Sequence, residues 1–485
     1  MTVHPPRVSD ARARRLAATL YGYAFLGELV LLYPLYALLF SDTGLSVWQI
    51  SSLFVIWSAA SILLEVPSGA LADAFSRRLL LVLAPVVTAA GFALWVLVPS
   101  YAAFAVGFVL WGAGGALASG ALEALVFTEL DRLGAAGRYA RVIGRARTAE
   151  TLGVLASILL AGPMFALGGY PAVGAASVLA CLLAAAVATR LPEHRRPTTV
   201  GGATAKVATP ADDAAAVAVP AATPVATAVP AAVPVPVATP DVAAVPVATP
   251  VATAVPVATP DVAAGGPERD GGVDDDEDLG WWASLRAGLT EVHADRAVRA
   301  AVLLVAVVAA VWGALDEYTP LLARDTGVGE ATVPLLLLLT WVGVAVGGLL
   351  APAGERLTAR GYAGLLALSA LALAAGALLA RPVGFALVAA AFCGFQLATV
   401  LADARLQARI TGGSRATVTS LAGMATDVTI IAVYGGYGLL ATGAGNGVAF
   451  AVAAVPYLVV ALLLATRAGR SARRRPDRTG AGHAG

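Results

Sequence analysis

Apolar runs of roughly 20 residues, parted by short charged turns, constrain this chain more than any other feature. A run of that length crosses a ~30 Å hydrocarbon layer as a helix. Lipid offers the backbone no hydrogen-bond partner, so the spanning segments must be helices or a closed barrel. These runs lack the strict alternation of barrel strands and read as helices. Twelve spans are expected, near 17–40, 47–68, 79–99, 102–126, 143–166, 170–190, 300–322, 331–352, 363–380, 383–405, 416–440 and 446–466. Hydrophobic residues make up 59% of the 485 and charged residues 13%. Soluble proteins carry about 25% charged residues. The expected class is therefore an all-α membrane protein. The first run is long enough to span, and no small-residue cleavage site follows a short apolar core, so it reads as an uncleaved helix.

Basic residues set a sidedness. With the N-terminus placed inside, Arg7, Arg12, Arg14, Arg15, Arg77, Arg78, Arg132, Arg138, Arg141, Arg356, Arg360, Arg409, Arg415 and the C-terminal arginines all fall on the cytoplasmic side. Only Arg324 and Arg381, 2 of the 32 basic residues, fall outside. The positive-inside rule selects this orientation, with both termini cytoplasmic in a plasma membrane.

Residues 193–280 differ in kind. They hold 13 of the 28 prolines, and VPVATPDVAA occurs twice, at 235–244 and 255–264. Prolines this frequent remove donors and clash with the preceding helical turn, so the segment reads as a disordered, partly polyproline-II linker despite its apolar letters. Trp281, Trp282, Leu285 and Leu289 then repeat at helical spacing near Arg286 and Arg296, the pattern of an amphipathic helix on the inner membrane surface. The expected organisation is a cytoplasmic tail at 1–16, a six-helix bundle at 17–192, the linker at 193–280, a second bundle at 281–466 preceded by the interfacial helix, and a basic tail at 467–485. The halves echo each other: Tyr33-Pro34 leads to Asp42-Thr43-Gly44, and Tyr318-Thr319-Pro320 leads to Asp325-Thr326-Gly327. Parallel six-helix repeats are a transporter architecture, with substrate held at the repeat interface.

Between the second and third runs lies Glu65-Val66-Pro67-Ser68-Gly69-Ala70-Leu71-Ala72-Asp73-Ala74-Phe75-Ser76-Arg77-Arg78. The spacing of Gly69, Asp73, Arg77 and Arg78 resembles the G-x-x-x-D-x-x-G-R-R/K loop of the major facilitator superfamily (MFS), with Ser76 in place of the second glycine. The resemblance covers the chain apart from 193–280 and the termini. It implies two pseudo-symmetric six-helix bundles, transport by alternating access, and a hairpin that docks on the opposite half in the outward-open state, with Asp73 and Arg77 as gate residues. The other reading of Arg77 and Arg78 is plain positive-inside anchoring. The fourth span has no arginine in its first two-thirds, and Gly162-Pro163 departs from the antiporter spacing, so the resemblance does not extend to those signatures. Ser119 to Leu125 and Glu65 to Gly69 resemble a lesser-characterised bacterial branch of the superfamily.

Charges inside the runs are the candidate site. Each costs about 2.5–3.5 kcal/mol at the membrane centre on insertion scales. All four histidines lie outside the runs, so proton chemistry there falls to carboxylates. Glu28 is central to the first span, and Tyr21, Phe25, Glu28, Leu32 and Tyr36 would share one helical face. An acid flanked by aromatics suits a cationic or amphiphilic substrate or a titrating proton carrier. Asp427 lies mid-span, Asp316 and Glu317 sit in the outer third of the seventh span, and Gln396 shares a face with Asp403. Glu65, Glu123 and Asp403, near the inner ends, would pair with arginines such as Arg77, Arg141 or Arg405 as an inner charge network. Gly112, Gly114, Gly115, Gly343, Gly347, Gly435 and Gly436 are expected to permit close helix packing.

No nucleotide-binding loop, catalytic cluster or metal-ligand spacing is visible, so no enzyme activity and no cofactor is expected. The expected partners are a small-molecule substrate, a coupling proton and the lipid bilayer, with no nucleic acid and a monomeric state. The preferred function is proton-coupled export of a small amphiphilic or cationic compound. Uptake of a polar metabolite by the same fold, or a polytopic sensor, are the rivals.

Overall fold

The computed structural model describes the backbone of residues 7–194, 295–410 and 415–473, and all of their side chains except those of 7–9, 65–74, 120, 415–417 and 468–473. All but the first two residues of the expected linker, and the amphipathic helix expected from Trp281, lie outside these residues.

Every described element is a helix. The first half holds α1 (Arg7–Glu28), α2 (Tyr36–Asp42), α3 (Val47–Ala74), α4 (Arg77–Leu97), α5 (Tyr101–Arg132), a single 3-10 turn at Ala136–Arg138 and α6 (Tyr139–Ala188). The second holds α7 (Arg296–Asp316), α8 (Thr319–Asp325), α9 (Val333–Leu349), α10 (Ala351–Gly354), α11 (Ala359–Leu378), α12 (Gly384–Gln407), α13 (Arg415–Ala444), α14 (Asn446–Ala453) and α15 (Val455–Arg473). Among the described residues, nine helices are long and apolar enough to cross a membrane. One of them, α6, covers two expected spans and is interrupted at Gly168 and Gly169, where Gly169 takes φ 61°.

Four expected spans are divided between two helices, 331–352 at Leu350 and 446–466 at Ala454 among them, and the other two divisions shape the site. The 17–40 run stops as α1 at Glu28, passes through an irregular stretch and resumes as α2. Pro34 explains the break: it lacks a donor and disfavours helix in the residue before it. The Leu32 amide, released from the helical ladder, donates to Ser177 Oγ at 3.0 Å. The 300–322 run breaks between α7 and α8, where Pro320 occupies the first turn of α8 and its missing N–H has no helical partner to lose. The repeat seen in sequence is structural here. α2 and α8 are each seven residues long, are followed by Thr43 and Thr326, and end on Gly44 (φ 93°) and Gly327 (φ 83°). The left-handed glycine terminates both short helices. We call this side of the molecule the Asp-Thr-Gly end.

Within the first half α1 packs on α6, α4 on α5 and α6, and α3 on α5. Within the second, α9 and α11 pack on α12, and α13 on α7. Across the halves α3 meets α13 and α6 meets α9. Small residues allow the closest approaches: a Cβ on Gly343 or Gly347 would lie 2.3 Å from the Ala389 carbonyl oxygen or 2.2 Å from that of Cys393. Gly112 and Gly114 are close-packed as well, but a Cβ on Gly115, Gly435 or Gly436 would meet nothing within 4 Å, so packing does not account for those three.

The apolar core has three parts. One joins both halves, with Phe40, Phe54, Trp95 and Phe108 from the first and Trp312, Tyr318, Tyr434 and Phe450 from the second. Another belongs to the first half alone (Leu16, Leu20, Leu81, Leu130, Val142) and the third to the second half alone (Val298, Leu406, Ile410, Val418). The cluster that joins the halves includes the residues around the Asp-Thr-Gly end, whereas the two smaller clusters each stay within one half.

Candidate substrate and proton site

Both helix breaks place an acid at a helix terminus deep in the bundle. Glu28 is the last residue of α1, Asp316 the last of α7, and Glu317 follows it. All three are half-buried. Glu28 leans on α6 because Gly153 lacks a side chain: a Cβ there would lie 3.0 Å from Glu28 Cβ and 2.4 Å from the Phe25 carbonyl oxygen. One turn earlier on α6, Arg147 pairs with Glu150 at 3.2 Å and reaches Glu123 at 3.6 Å. A hydrogen bond joins Glu28 to the Tyr33 hydroxyl, and Glu150 and Arg147 lie within electrostatic reach of Glu28. Glu28, Tyr33, Arg147, Glu150 and Glu123 thus form one polar network in a half otherwise lined by apolar and aromatic side chains.

The expected face Tyr21–Phe25–Glu28–Leu32–Tyr36 is only partly realised. Tyr21, Phe25 and Glu28 share α1, but the break removes Leu32 and Tyr36 from that face. Tyr36 is buried and donates its hydroxyl hydrogen bond to Glu317 of the other half. The ring of Tyr33 stacks on Trp111 (5.2 Å, 16°), which stacks on Trp57 (4.6 Å, 21°). Tyr33, Arg147 and Glu150 join this network although the sequence pattern does not single them out as site residues. The signal for the last two was present as charges at the start of the fifth run.

In the second half, Asp316, Glu317 and Asp427 all lie within electrostatic reach of the Tyr434 hydroxyl. Gln396 is buried at the α9–α12 contact, with its Cβ 3.1 Å from where a Gly347 side chain would start. The inner charge network differs from expectation in its partners. Glu123 meets Arg147 rather than Arg141. Asp403 bonds with Gln407 rather than Arg405, whose guanidinium lies 4.1 Å above the Tyr362 ring and donates to the Leu357 carbonyl at 3.4 Å.

The hairpin is tighter than its sequence implies. α3 remains helical through Gly69 to Ala74, leaving Phe75 and Ser76 as the turn. Ser76, at the place of the family's second glycine, adopts backbone open to any residue. It is the extended N-cap of α4 (φ −64°, ψ 120°) and accepts from the Leu79 amide at 3.1 Å. The Glu193 carboxylate takes the Ser76 hydroxyl and the Arg77 amide, the latter at 2.8 Å, which places an anion at a helix N-terminus. Arg77 also donates to the Ala124 carbonyl (3.1 Å) and to Thr128 (3.0 Å), both in its own half. Arg78 donates its amide to Glu193 at 3.3 Å. The side chains of Glu65 and Asp73 lie outside the described residues.

At the Asp-Thr-Gly end polar contacts join the halves. Arg324 pairs with Asp42 at 2.5 Å and with Ser41, and Tyr170 donates to the second Asp42 oxygen at 2.5 Å. Ser51 and Tyr318 hydroxyls lie 2.7 Å apart. In the second half Asn446 donates to Asp325 at 2.8 Å.

An all-helical membrane-spanning chain, with paired broken helices and acids at the interface of two similar halves, has the make-up of a multi-pass carrier. The family model described as Major Facilitator Superfamily matches residues 17–433, and the chain belongs to that superfamily. Among solved structures it is similar to the nucleoside transporter NupG (D323A mutant), with TM-score 0.63 and 11% identity over 93% of this chain and 99% of that one. A bacterial homolog of the human lysosomal transporter Spinster matches with TM-score 0.60 and 14% identity over 98% and 100%. A D-xylose–proton symporter matches with TM-score 0.56 and 14% identity over 94% and 97%. No curated protein sequence matches the chain. The protein is a membrane transporter and not an enzyme.

Proposed function

We propose that the protein is a secondary active transporter of twelve spans that exchanges protons for a small amphiphilic or cationic compound, exporting it across a plasma membrane with both termini cytoplasmic. In that orientation the Asp-Thr-Gly end, joined across the halves by Arg324–Asp42 and Ser51–Tyr318, is the extracellular side and is closed. The observation that carries the reading is Glu28, a half-buried acid at a helix break, hydrogen-bonded to Tyr33 and beside the Arg147–Glu150 pair. A carboxyl group there gains or loses its charge inside the membrane, which is what coupling to a proton gradient requires. Asp316, Glu317 and Asp427 give the second half a negative face that suits a cationic cargo, and Gln396 is a candidate hydrogen-bonding group on α12. Asp73, Arg77 and Arg78 belong to the gate hairpin at the cytoplasmic end.

Uptake of a polar solute is the second reading. Arg147 held between Glu123 and Glu150 is a paired-charge lining of the kind that binds polar metabolites, and nucleoside and xylose carriers share the fold.

Purified protein in liposomes with an imposed pH gradient tests both. Organic cations should move against the proton gradient, and Glu28→Gln should abolish the response to the gradient while leaving downhill exchange. Cargo movement indifferent to the gradient would refute proton coupling. Solute moving with protons, with no cation transported, would establish uptake instead.

A further inference from the structure

We infer that Tyr33 and Tyr36 are positioning residues that carry the protonation state of Glu28 to the contact closing the Asp-Thr-Gly end. The inference rests on the transport reading above and assigns that reading a connection between halves. The two tyrosines lie three residues apart, on either side of the Pro34 break, and bond to acids on opposite halves. Tyr33 bonds to Glu28 in its own half, and Tyr36 donates to Glu317 across the interface.

The segment between them moves as a unit. The Leu35 and Tyr36 amides both donate to the Leu32 carbonyl, at 2.9 and 2.8 Å, closing a turn that encloses Tyr33, so a displacement of Tyr33 is carried to Tyr36. The Tyr36 ring is caged by Phe40, Phe54, Trp95 and Phe108. A hydroxyl drawn away from Glu317 inside that cage meets aromatic rings that offer no hydrogen-bond acceptor, which favours two discrete positions over a continuum.

The charge of Glu28 chooses between them. An ionised carboxylate accepts a charge-assisted hydrogen bond about twice as strong as a neutral one. Ionised Glu28 therefore holds Tyr33, keeps Tyr36 on Glu317 and favours the closed Asp-Thr-Gly end. Protonation weakens the first bond and releases the second. The groups facing Glu28 are Tyr33 from the break, Tyr23 on α1, and Arg147, Glu150 and Cys181 on α6. Those facing Glu317 are Tyr33, Tyr36, Tyr318 and Tyr434.

Spin labels on Val98→Cys and Gly329→Cys, exposed loop positions in the two halves, report the width of the Asp-Thr-Gly end once Cys181 and Cys393 are replaced by Ala. Pulsed electron paramagnetic resonance on the full chain in nanodiscs is recorded at mildly acidic and mildly alkaline pH. In the parent, acid should shift the population from the short to the long distance. Tyr33→Phe and Tyr36→Phe should each remove that pH response while both distances remain populated, the sign of intact folding. If either variant keeps the parent's response, or shifts the populations equally at every pH while the response survives, the tyrosines are structural and the inference is wrong. If Glu28→Gln itself keeps the response, it is the proton-site reading that fails.

Discussion

Arg324 shows how one side chain can join two halves that the sequence separates by a long linker. It is one of two basic residues placed outside by the positive-inside rule, and it reaches Asp42 and Ser41 of the other half. The pair is partly solvated, with Arg324 28% and Asp42 36% exposed, so it belongs with surface ion pairs. Such a pair is worth about 0.2–1 kcal/mol. Arg324→Ala should therefore shift the closed Asp-Thr-Gly end toward the open one by up to about fivefold, leaving folding intact. Thiol-reagent access to Ser51→Cys, a site fully buried while the end is closed, reads this directly; unchanged access would leave the pair without a gating role. The same scale explains what the sequence hid. Glu28 was legible because an acid mid-span is conspicuous. Its partners Tyr33, Arg147 and Glu150 were not, because an aromatic after a break and charges at the start of a run have ordinary uses.

At the scale of elements, α7 carries a wedge. The Tyr457 hydroxyl accepts from the Trp312 amide (2.8 Å) and donates to the Val308 carbonyl (3.1 Å). These two groups are four residues apart and would otherwise bond each other within the helix. A side chain inserted into the ladder bends a helix locally. The wedge lies one turn before the α7–α8 break, which makes this stretch a candidate hinge for α8. Tyr457→Phe deprives both buried groups of their partner unless α7 straightens. Its thermal stability in detergent should fall by on the order of 1–3 kcal/mol, or the hinge should stiffen and turnover slow. A variant equal to the parent in both melting and turnover would deny the wedge a role. Which spans break was partly readable: Pro34 and Pro320 mark both positions, yet uninterrupted apolar letters implied continuous helices. The wedge was not readable, since Tyr457 and Trp312 are 145 residues apart.

At the scale of the molecule, one core cluster joins the halves and includes the residues around the Asp-Thr-Gly end, whereas two smaller clusters each stay within one half. In the alternating-access cycle proposed above, the Asp-Thr-Gly end is the one that opens next. A Cβ built on Gly438 of α13 would lie 2.7 Å from Ser51 Cβ of α3. Disulfides need about 3.5–4.5 Å between Cβ atoms, a small relaxation away. Ser51→Cys with Gly438→Cys, in a background lacking Cys181 and Cys393, should crosslink on oxidation and stop transport, and reduction should restore it. Transport that continues through a complete crosslink would mean that this end does not open during the cycle.

The membrane-spanning helical class, the doubling of the chain and the presence of acids in the apolar runs are all legible in the amino-acid order. Each follows from local physics: run length against bilayer thickness, a repeated Pro and Asp-Thr-Gly pattern, and the cost of charge in lipid. Folding alone reveals that the halves meet at the Asp-Thr-Gly end, that Glu123 pairs with Arg147, that Ser76 caps a helix under Glu193, and that Tyr36 bonds to Glu317 instead of sharing a face with Glu28. Those depend on which helices become neighbours and how they rotate. In an apolar solvent that is set by small-residue packing and long-range hydrogen bonds, and neither has a period that a single chain displays.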